Sequence, residues 1–185
     1  MATAIRFTSA DLLAMPDNGK RYEVIEGELY MSRQPFNEHQ RVCGKLFNKL
    51  ANWSEVSNSG EPFFAPGLIF AEDDDVAPDL IWISKKRLVD YKPDDHFHVA
   101  PELVIEVLSF GKEQERRDRE TKLKLYSRRG VQEYWIANWR SRQIEVYRRK
   151  RNHLQLITTL NDNETLTSPL LPNFSCQVST IFDHS

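Results

Sequence analysis

Three ionisable side chains stand where burial would be costly unless something offsets it. Glu106 interrupts the apolar run Leu103-Val104-Ile105-Glu106-Val107-Leu108, Asp79 follows Pro78 at the head of Leu80-Ile81-Trp82-Ile83, and Lys122 falls within a helical pattern from Gly111 to Arg129. A carboxylate taken out of water must pair with a cation, bind a metal or hold a proton. For Glu106 the plain alternative is an arginine salt bridge, or a place at the strand's exposed end. Pro-Asp is also a common turn element, because proline fixes φ and aspartate bonds nearby backbone, so Asp79 alone says little. Beside Glu106 it says more. Two acids on neighbouring strands can share a hard cation, Mg²⁺ or Mn²⁺, which takes a few oxygen ligands and keeps water.

At about 100° per residue, Lys122 lies about 60° from Leu125 and about 40° from Tyr126, on the apolar stripe of its helix, whereas Lys124 points nearly opposite. From that face the amine can reach the strand that carries Glu106. Snorkelling, or a structural bridge to Asp118 one turn earlier, is the alternative. Together the three residues form a chemical unit. Two carboxylates hold the ion, which eases ionisation of a water and stabilises charge on a phosphodiester. The lysine orients that water or neutralises the transition state.

The elements that must position these groups are legible in outline. Thr8 to Asp11 caps a short helix, ended by Pro16 and Asp17-Asn18-Gly19. Arg21 to Met31 reads as strand, with Gly27 making it a hairpin. Asn37 with Gln40 suggests a capping box, opening a helix whose stripe is Val42, Leu46, Leu50 and Trp53. Ser57 to Pro62 reads as loop. Gly67 to Phe70 and Leu80 to Ile83 read as a hairpin around the solvated acidic turn Glu72-Asp73-Asp74-Asp75, and Ser84 to His98 as a loop with a helical turn. Leu103 to Leu108, apolar on both faces, reads as a central strand covered by helices. Gly130 stops the following helix. Strands follow at Glu133 to Ala137, Gln143 to Arg148 and Leu154 to Thr159, while the tail from Asn161 is turn-rich. The order predicts an α/β or α+β fold, a central mixed β-sheet flanked by helices, in a single domain over residues 1–185.

Composition narrows the classes. Hydrophobic residues make up 40% and charged residues 28% of 185, ordinary for a globular protein. No apolar run approaches the roughly 20 residues that span a bilayer, so no membrane partner is expected. Met1 to Asp11 lacks the basic-then-apolar pattern of a secretory signal. The cysteines, Cys43 and Cys176, match no metal-ligand spacing, which fits a reducing cytoplasm with both thiols buried. The net charge is -2, yet Gly111 to Gly130 holds eight Lys/Arg against four Asp/Glu, and Trp139 to Arg151 six against one. Such stretches can contact phosphates, or can simply be solvated faces.

Beyond the isolated residues, Pro78-Asp79, Glu102 to Ser109, Asp118-Arg119-Glu120-Thr121-Lys122, Tyr126 and Gly130-Val131-Gln132-Glu133-Tyr134-Trp135 resemble the Uma family of endonucleases over nearly the whole chain. The opening Tyr22 to Leu29 and the helix-starting His39 are similar to it too. The resemblance implies the restriction-endonuclease-like fold of the PD-(D/E)xK superfamily, with Asp79 and Glu106 as its first and second acids. Leu108 stands where the general pattern has lysine, and Lys122, from the following helix, takes that place. Glu28 and His39 are auxiliary candidates, each with a plainer reading: a surface strand-end glutamate and a satisfied half-buried histidine. Tyr134 and Trp135 belong to the core or to a dimer surface.

The leading expectation is therefore an endonuclease that hydrolyses DNA phosphodiester bonds with Mg²⁺ or Mn²⁺, in which Arg116, Arg117, Arg119 and Lys124 contact the nucleic acid. A non-catalytic nucleic-acid-binding module on the same fold, using Arg116 to Arg129 and Arg140 to Arg151, is the second reading. A homodimeric interaction protein built on exposed aromatic strands is the third.

Overall fold

The computed structural model describes residues 5–89 and 96–184. Met1 to Ala4, and the part of the Ser84 to His98 segment from 90 to 95, lie outside the described residues. Helix α1 (Ser9–Leu13) precedes a hairpin of β1 (Arg21–Ile25) and β2 (Glu28–Ser32). The long helix α2 (Asn37–Ser57) is followed by β3 (Gly60–Phe64), β4 (Leu68–Ala71), β5 (Asp74–Val76), β6 (Leu80–Ser84), the short α3 (Lys85–Leu88) and β7 (Leu103–Val107). Helix α4 (Lys112–Arg116) runs through a π-helical turn (Arg117–Lys122) into α5 (Leu123–Arg129). Strands β8 (Glu133–Asn138), β9 (Gln143–Lys150), β10 (His153–Leu160), β11 (Thr165–Ser168) and β12 (Leu171–Gln177) and helix α6 (Ser179–Phe182) complete the chain.

The centre is a six-stranded mixed sheet in the order β10-β9-β8-β7-β6-β3. β7 and β8 are parallel, which requires the crossover that α4, the π turn and α5 supply. The other pairs are antiparallel. Alternation along β7 divides the core. Leu103, Ile105 and Val107 pack with Val42, Cys43, Leu46 and Leu50 of α2. Val104 and Leu108 pack with Leu125 and Tyr126 of α5 and with Tyr134. Each wholly buried aliphatic side chain contributes roughly 1.5–3 kcal/mol. Glu106 shares the parity of Val104 and Leu108, so β7 presents it to the helical crossover. Gly130 adopts φ 92, the left-handed cap expected to end that helix.

Several expectations are corrected. Leu68–Ala71 does not pair with Leu80–Ser84. Its partner is β5, within a second sheet ordered β2-β1-β5-β4, and the acidic run is not a solvated turn. Asp74 is wholly buried, accepts the Glu26 N–H at 2.8 Å and is clamped by Arg128 and Arg129. Gly60 to Pro62, assigned to a loop, belongs to β3 and pairs with β6. No capping box forms at Asn37, because the N-cap is Phe36, whose carbonyl accepts the Gln40 N–H at 3.1 Å. The box forms at α1, where Asp11 accepts from the Thr8 N–H and hydroxyl. The tail builds the β11–β12 hairpin and α6, which add Leu166, Leu171, Phe174, Ile181 and Phe182 to the α2 side of the core.

Asp74 yields a stability prediction. Burial raises its pKa, but the Glu26 N–H and the two guanidiniums outweigh burial and hold it below 3.8. A depressed carboxyl stabilises above its unfolded pKa and loses that contribution as pH falls through the folded one. Asp74→Ala is expected to cost about 2–3 kcal/mol at neutral pH, the range for charge-assisted hydrogen bonds lost on one side. Urea unfolding measures this, and the gap to wild type should narrow in acid. An unchanged midpoint at neutral pH would remove Asp74 from the fold's supports.

Candidate active site

Strand register brings the two acids together. Leu80 faces Ile105 and Ile81 faces Val104, so the next facing positions beyond the ladder are Asp79 and Glu106. Asp79 Oδ2 accepts the Val107 N–H at 2.8 Å, which ties the acid to the strand that carries the other one. His39, in the first turn of α2, places Nε2 3.1 Å from Asp79 Oδ2, and Arg21 on β1 places Nη1 3.4 Å from Oδ1.

The third group arrives from the helical crossover. Lys122 closes the π turn, a widened turn that often marks functional sites. Its Nζ lies 2.9 Å from Glu106 Oε1, 2.9 Å from Glu23 Oε1 and 3.9 Å from Asp118 Oδ1. Glu106 Oε1 also accepts the Tyr126 hydroxyl at 2.8 Å. Glu23, Glu106 and Lys122 are 1%, 3% and 2% exposed, so each charge has to be answered by its neighbours rather than by water. Asp79, Glu106, Lys122, Asp118, His39 and Arg117 all line one cavity of about 370 Å³, together with Glu23 and Arg21.

Sequence reasoning missed Glu23. Its signal was parity: on β1 it alternates with Tyr22 and Val24 and shares a face with Ile25, whereas Glu28 was singled out instead. Glu28 is exposed, accepts the Tyr30 hydroxyl at 2.8 Å, and lines a separate groove together with Arg116 and Lys124. The auxiliary residues His39 and Asp118 do lie in the site cavity.

The basic residues divide in the same way. Arg117 turns inward, donates to Ser32 at 2.7 Å and lies 3.8 Å from Glu23. Arg119 is held by Glu115 and Glu145, and Arg116 by Glu120. In the second stretch Arg140 pairs with Glu115, Arg142 with Asp162 and Asp183, and Arg148 with Glu133. The local positive counts are therefore compensated in part, while Lys112, Lys150 and Arg151 are exposed and make no ion pair among the described residues. Lys124 remains exposed. Tyr134 and Trp135 are wholly buried, so they are core and offer no dimer surface.

Electrostatics separate the acids. Burial pushes Asp79 up, but His39, Arg21 and the Val107 N–H outweigh it and hold the carboxyl at about 2, firmly ionised. Glu23 is likewise held down, by Lys122 and Arg117 against the cost of burial. Glu106 goes the other way: burial, with the charges of Asp79 and Glu23, outweighs Lys122 and raises it. Asp118 is raised well above the ordinary range, by burial and the fields of Glu106 and Asp79. Two acids pushed up by burial and further by neighbouring carboxylates, and a buried Glu23 Oε2 without a hydrogen bond, leave this cavity able to take another cation. Its donors are carboxylate oxygens, the set a hard divalent ion prefers, so the residues fit Mg²⁺ or Mn²⁺. A second set lies behind Asp79, where the ligand atoms of His39, Cys43 and Asp79 fall within 4.8 Å of one another. Thiolate and imidazole suit softer ions than Mg²⁺.

The mixed sheet and its helical crossover form a restriction-endonuclease-like core. Residues 9–179 match the model of the Uma2 family, described as "Putative restriction endonuclease", and the chain belongs to that family. A crystal structure of a putative nuclease belonging to DUF820 from Anabaena variabilis superposes with a TM-score of 0.76 at 16% identity, covering 95% of this chain and 97% of that one. At that identity the likeness speaks for the fold. The type IIG restriction endonuclease BpuSI overlaps 78% of this chain and 15% of its own at 18% identity and a TM-score of 0.42, too slight to carry an argument. Comparison with curated proteins gave no match. Among the described residues, no helix is long and apolar enough to cross a membrane.

Proposed function

We propose that the chain is a Mg²⁺- or Mn²⁺-dependent endonuclease that hydrolyses DNA phosphodiester bonds, with Asp79 and Glu106 as ion ligands and Lys122 as the amine beside the scissile phosphate. The observation that carries this reading is the meeting of two acids and one amine, 27 and 16 residues apart in the chain, in a single cavity, with Lys122 Nζ 2.9 Å from Glu106. When bound, the ion supplies Lewis-acid stabilisation of charge on the phosphoryl oxygens and eases ionisation of a water.

The chain's own residues do the rest. Asp79, ionised and fixed by the Val107 N–H, offers an oxygen whose position does not depend on a free rotamer. Lys122 is fixed by Glu23 and Glu106, so its charge is in place before substrate arrives, the preorganisation that makes electrostatic stabilisation effective. Arg117, on the cavity wall, adds a fixed positive charge toward a phosphate. His39 acts on Asp79 as a positioning residue.

Plasmid nicking by the purified protein tests the reading. Wild type should nick only with Mg²⁺ or Mn²⁺ present, and Asp79→Asn should not nick at all. Equal nicking by both proteins would falsify the assignment of Asp79, and nicking that persists in chelator would remove the metal.

A further inference from the structure

The rim of the cavity carries a feature that neither the acids nor the lysine uses. Phe36 and Phe110 are 58% and 67% exposed, and their ring centroids lie 6.1 Å apart, edge to face. Each follows directly on a cavity-lining residue, Pro35 and Ser109 respectively. They come from separate segments, one leading into α2 and the other leaving β7. The Arg140 guanidinium lies 5.7 Å over the Phe110 ring and 5.4 Å over Trp139. Isolated exposed apolar residues are common and need no explanation, but two large rings meeting beside a polar cavity are a different matter.

The nearby charges point the same way. Lys20 and Arg33 line the cavity, are exposed, and make no side-chain ion pair or hydrogen bond with any described residue. They differ in this from Arg116, Arg119, Arg142 and Arg148, which are all paired. Unpaired cations beside exposed rings suit a polyanion with flat, apolar faces of its own. Single-stranded nucleic acid is that ligand: its phosphates meet the cations and its bases stack on the rings. In a duplex each base is already stacked and paired, so a surface ring gains contact only with a base that has left the stack.

We propose that Phe36 and Phe110 form a stacking platform for an unpaired base beside the phosphate held in the cavity, so that the substrate is DNA that is single-stranded or frayed at the point of cleavage. The proposal rests on the nuclease reading of the cavity and adds its substrate class. Lys20 and Arg33 steer the flanking phosphates, and their share of binding weakens with salt.

Cleavage of one oligonucleotide sequence, as single strand and as duplex, with Mn²⁺, tests it. Wild type is expected to favour the single strand, and Phe36→Ala with Phe110→Ala should slow single-strand cleavage at limiting substrate by about 10- to 100-fold, the range for lost base–aromatic stacking. Duplex cleavage, already slow in wild type because a paired base does not reach the rings, should fall by less, so that the preference is lost. Both side chains are largely exposed, so the double variant should unfold at the wild-type temperature, and Phe36→Trp with Phe110→Tyr should retain the preference. A fluorescent adenine analogue next to the cleaved bond should be quenched on binding wild type and not the alanine variant. If wild type cleaves both forms equally, or the alanine variant keeps the preference, the platform is overturned and the nuclease reading stands. If wild type cleaves neither form, both fall together.

Discussion

Lys122→Met is expected to destabilise the protein by about 3–5 kcal/mol at neutral pH, because it leaves buried carboxylates without their cation. Glu23 and Glu106 both place Oε1 2.9 Å from the amine, and neither has bulk water to replace it. In wild type, burial lowers the lysine's pKa, but Glu106, Glu23 and Asp118 outweigh burial and raise it above 10.5. A raised amine stabilises at every pH below its unfolded value and loses that contribution only as pH climbs through the folded one, so the wild-type contact holds across the whole physiological range. In the variant the sign reverses. Glu106 is raised even with the amine present, and without it Glu23 rises as well. The folded state then binds protons more tightly than the unfolded chain, and stability grows as pH falls through the raised folded values toward the unfolded 4.5. Urea midpoints at about pH 5 and about pH 8 measure this, with the variant recovering part of its loss at the lower pH. A variant as stable as wild type at both would show that the amine does not hold these acids.

Glu106→Gln should separate chemistry from folding. Lys122 keeps Glu23 at 2.9 Å, and the amide oxygen can still accept from Tyr126, so a stability close to wild type is expected. Cleavage should fall by about 10³-fold or more, since a lost ion ligand forfeits several kcal/mol of transition-state stabilisation, at tenfold per 1.36 kcal/mol. The rise in melting temperature that Mn²⁺ gives wild type by mass action should shrink or vanish. Wild-type cleavage rates in the variant would take this carboxylate out of the site. Lost cleavage with an undiminished Mn²⁺ shift would move the ion to the other acids.

How much of this was legible in the chain follows from the range of each signal. Glu106 was readable because an ionisable residue inside an apolar run has no cheap explanation. Lys122 was readable from helical angles, although the π turn interrupts the helix. The turn ends at Lys122, and from there to Tyr126 the spacing is regular, so the arithmetic ran over the part that obeys it. Glu23 was overlooked among three glutamates in one hairpin, where face parity, rather than type, distinguishes the buried one. The acidic run around Asp74 was misread because the arginines that bury it lie more than fifty residues away. The charge counts over Gly111 to Gly130 and Trp139 to Arg151 left open whether these residues are paired: the i,i+4 partners of Arg116 and Arg119 lay within helical spacing, but Glu145, Asp162, Asp183 and Glu133 meet their arginines only through folding.

Leu108 fills the core, and the amine that might have stood there comes instead from the crossover helix. Residues two apart on a strand are held about 7 Å from each other by covalent geometry alone. An amine on a helix has no such guarantee, and reaches its place only once that helix has docked on the sheet. The proposed site is therefore complete only when the crossover is docked, and loosening that one contact would part the amine from Glu106 while leaving both acids on their adjacent strands.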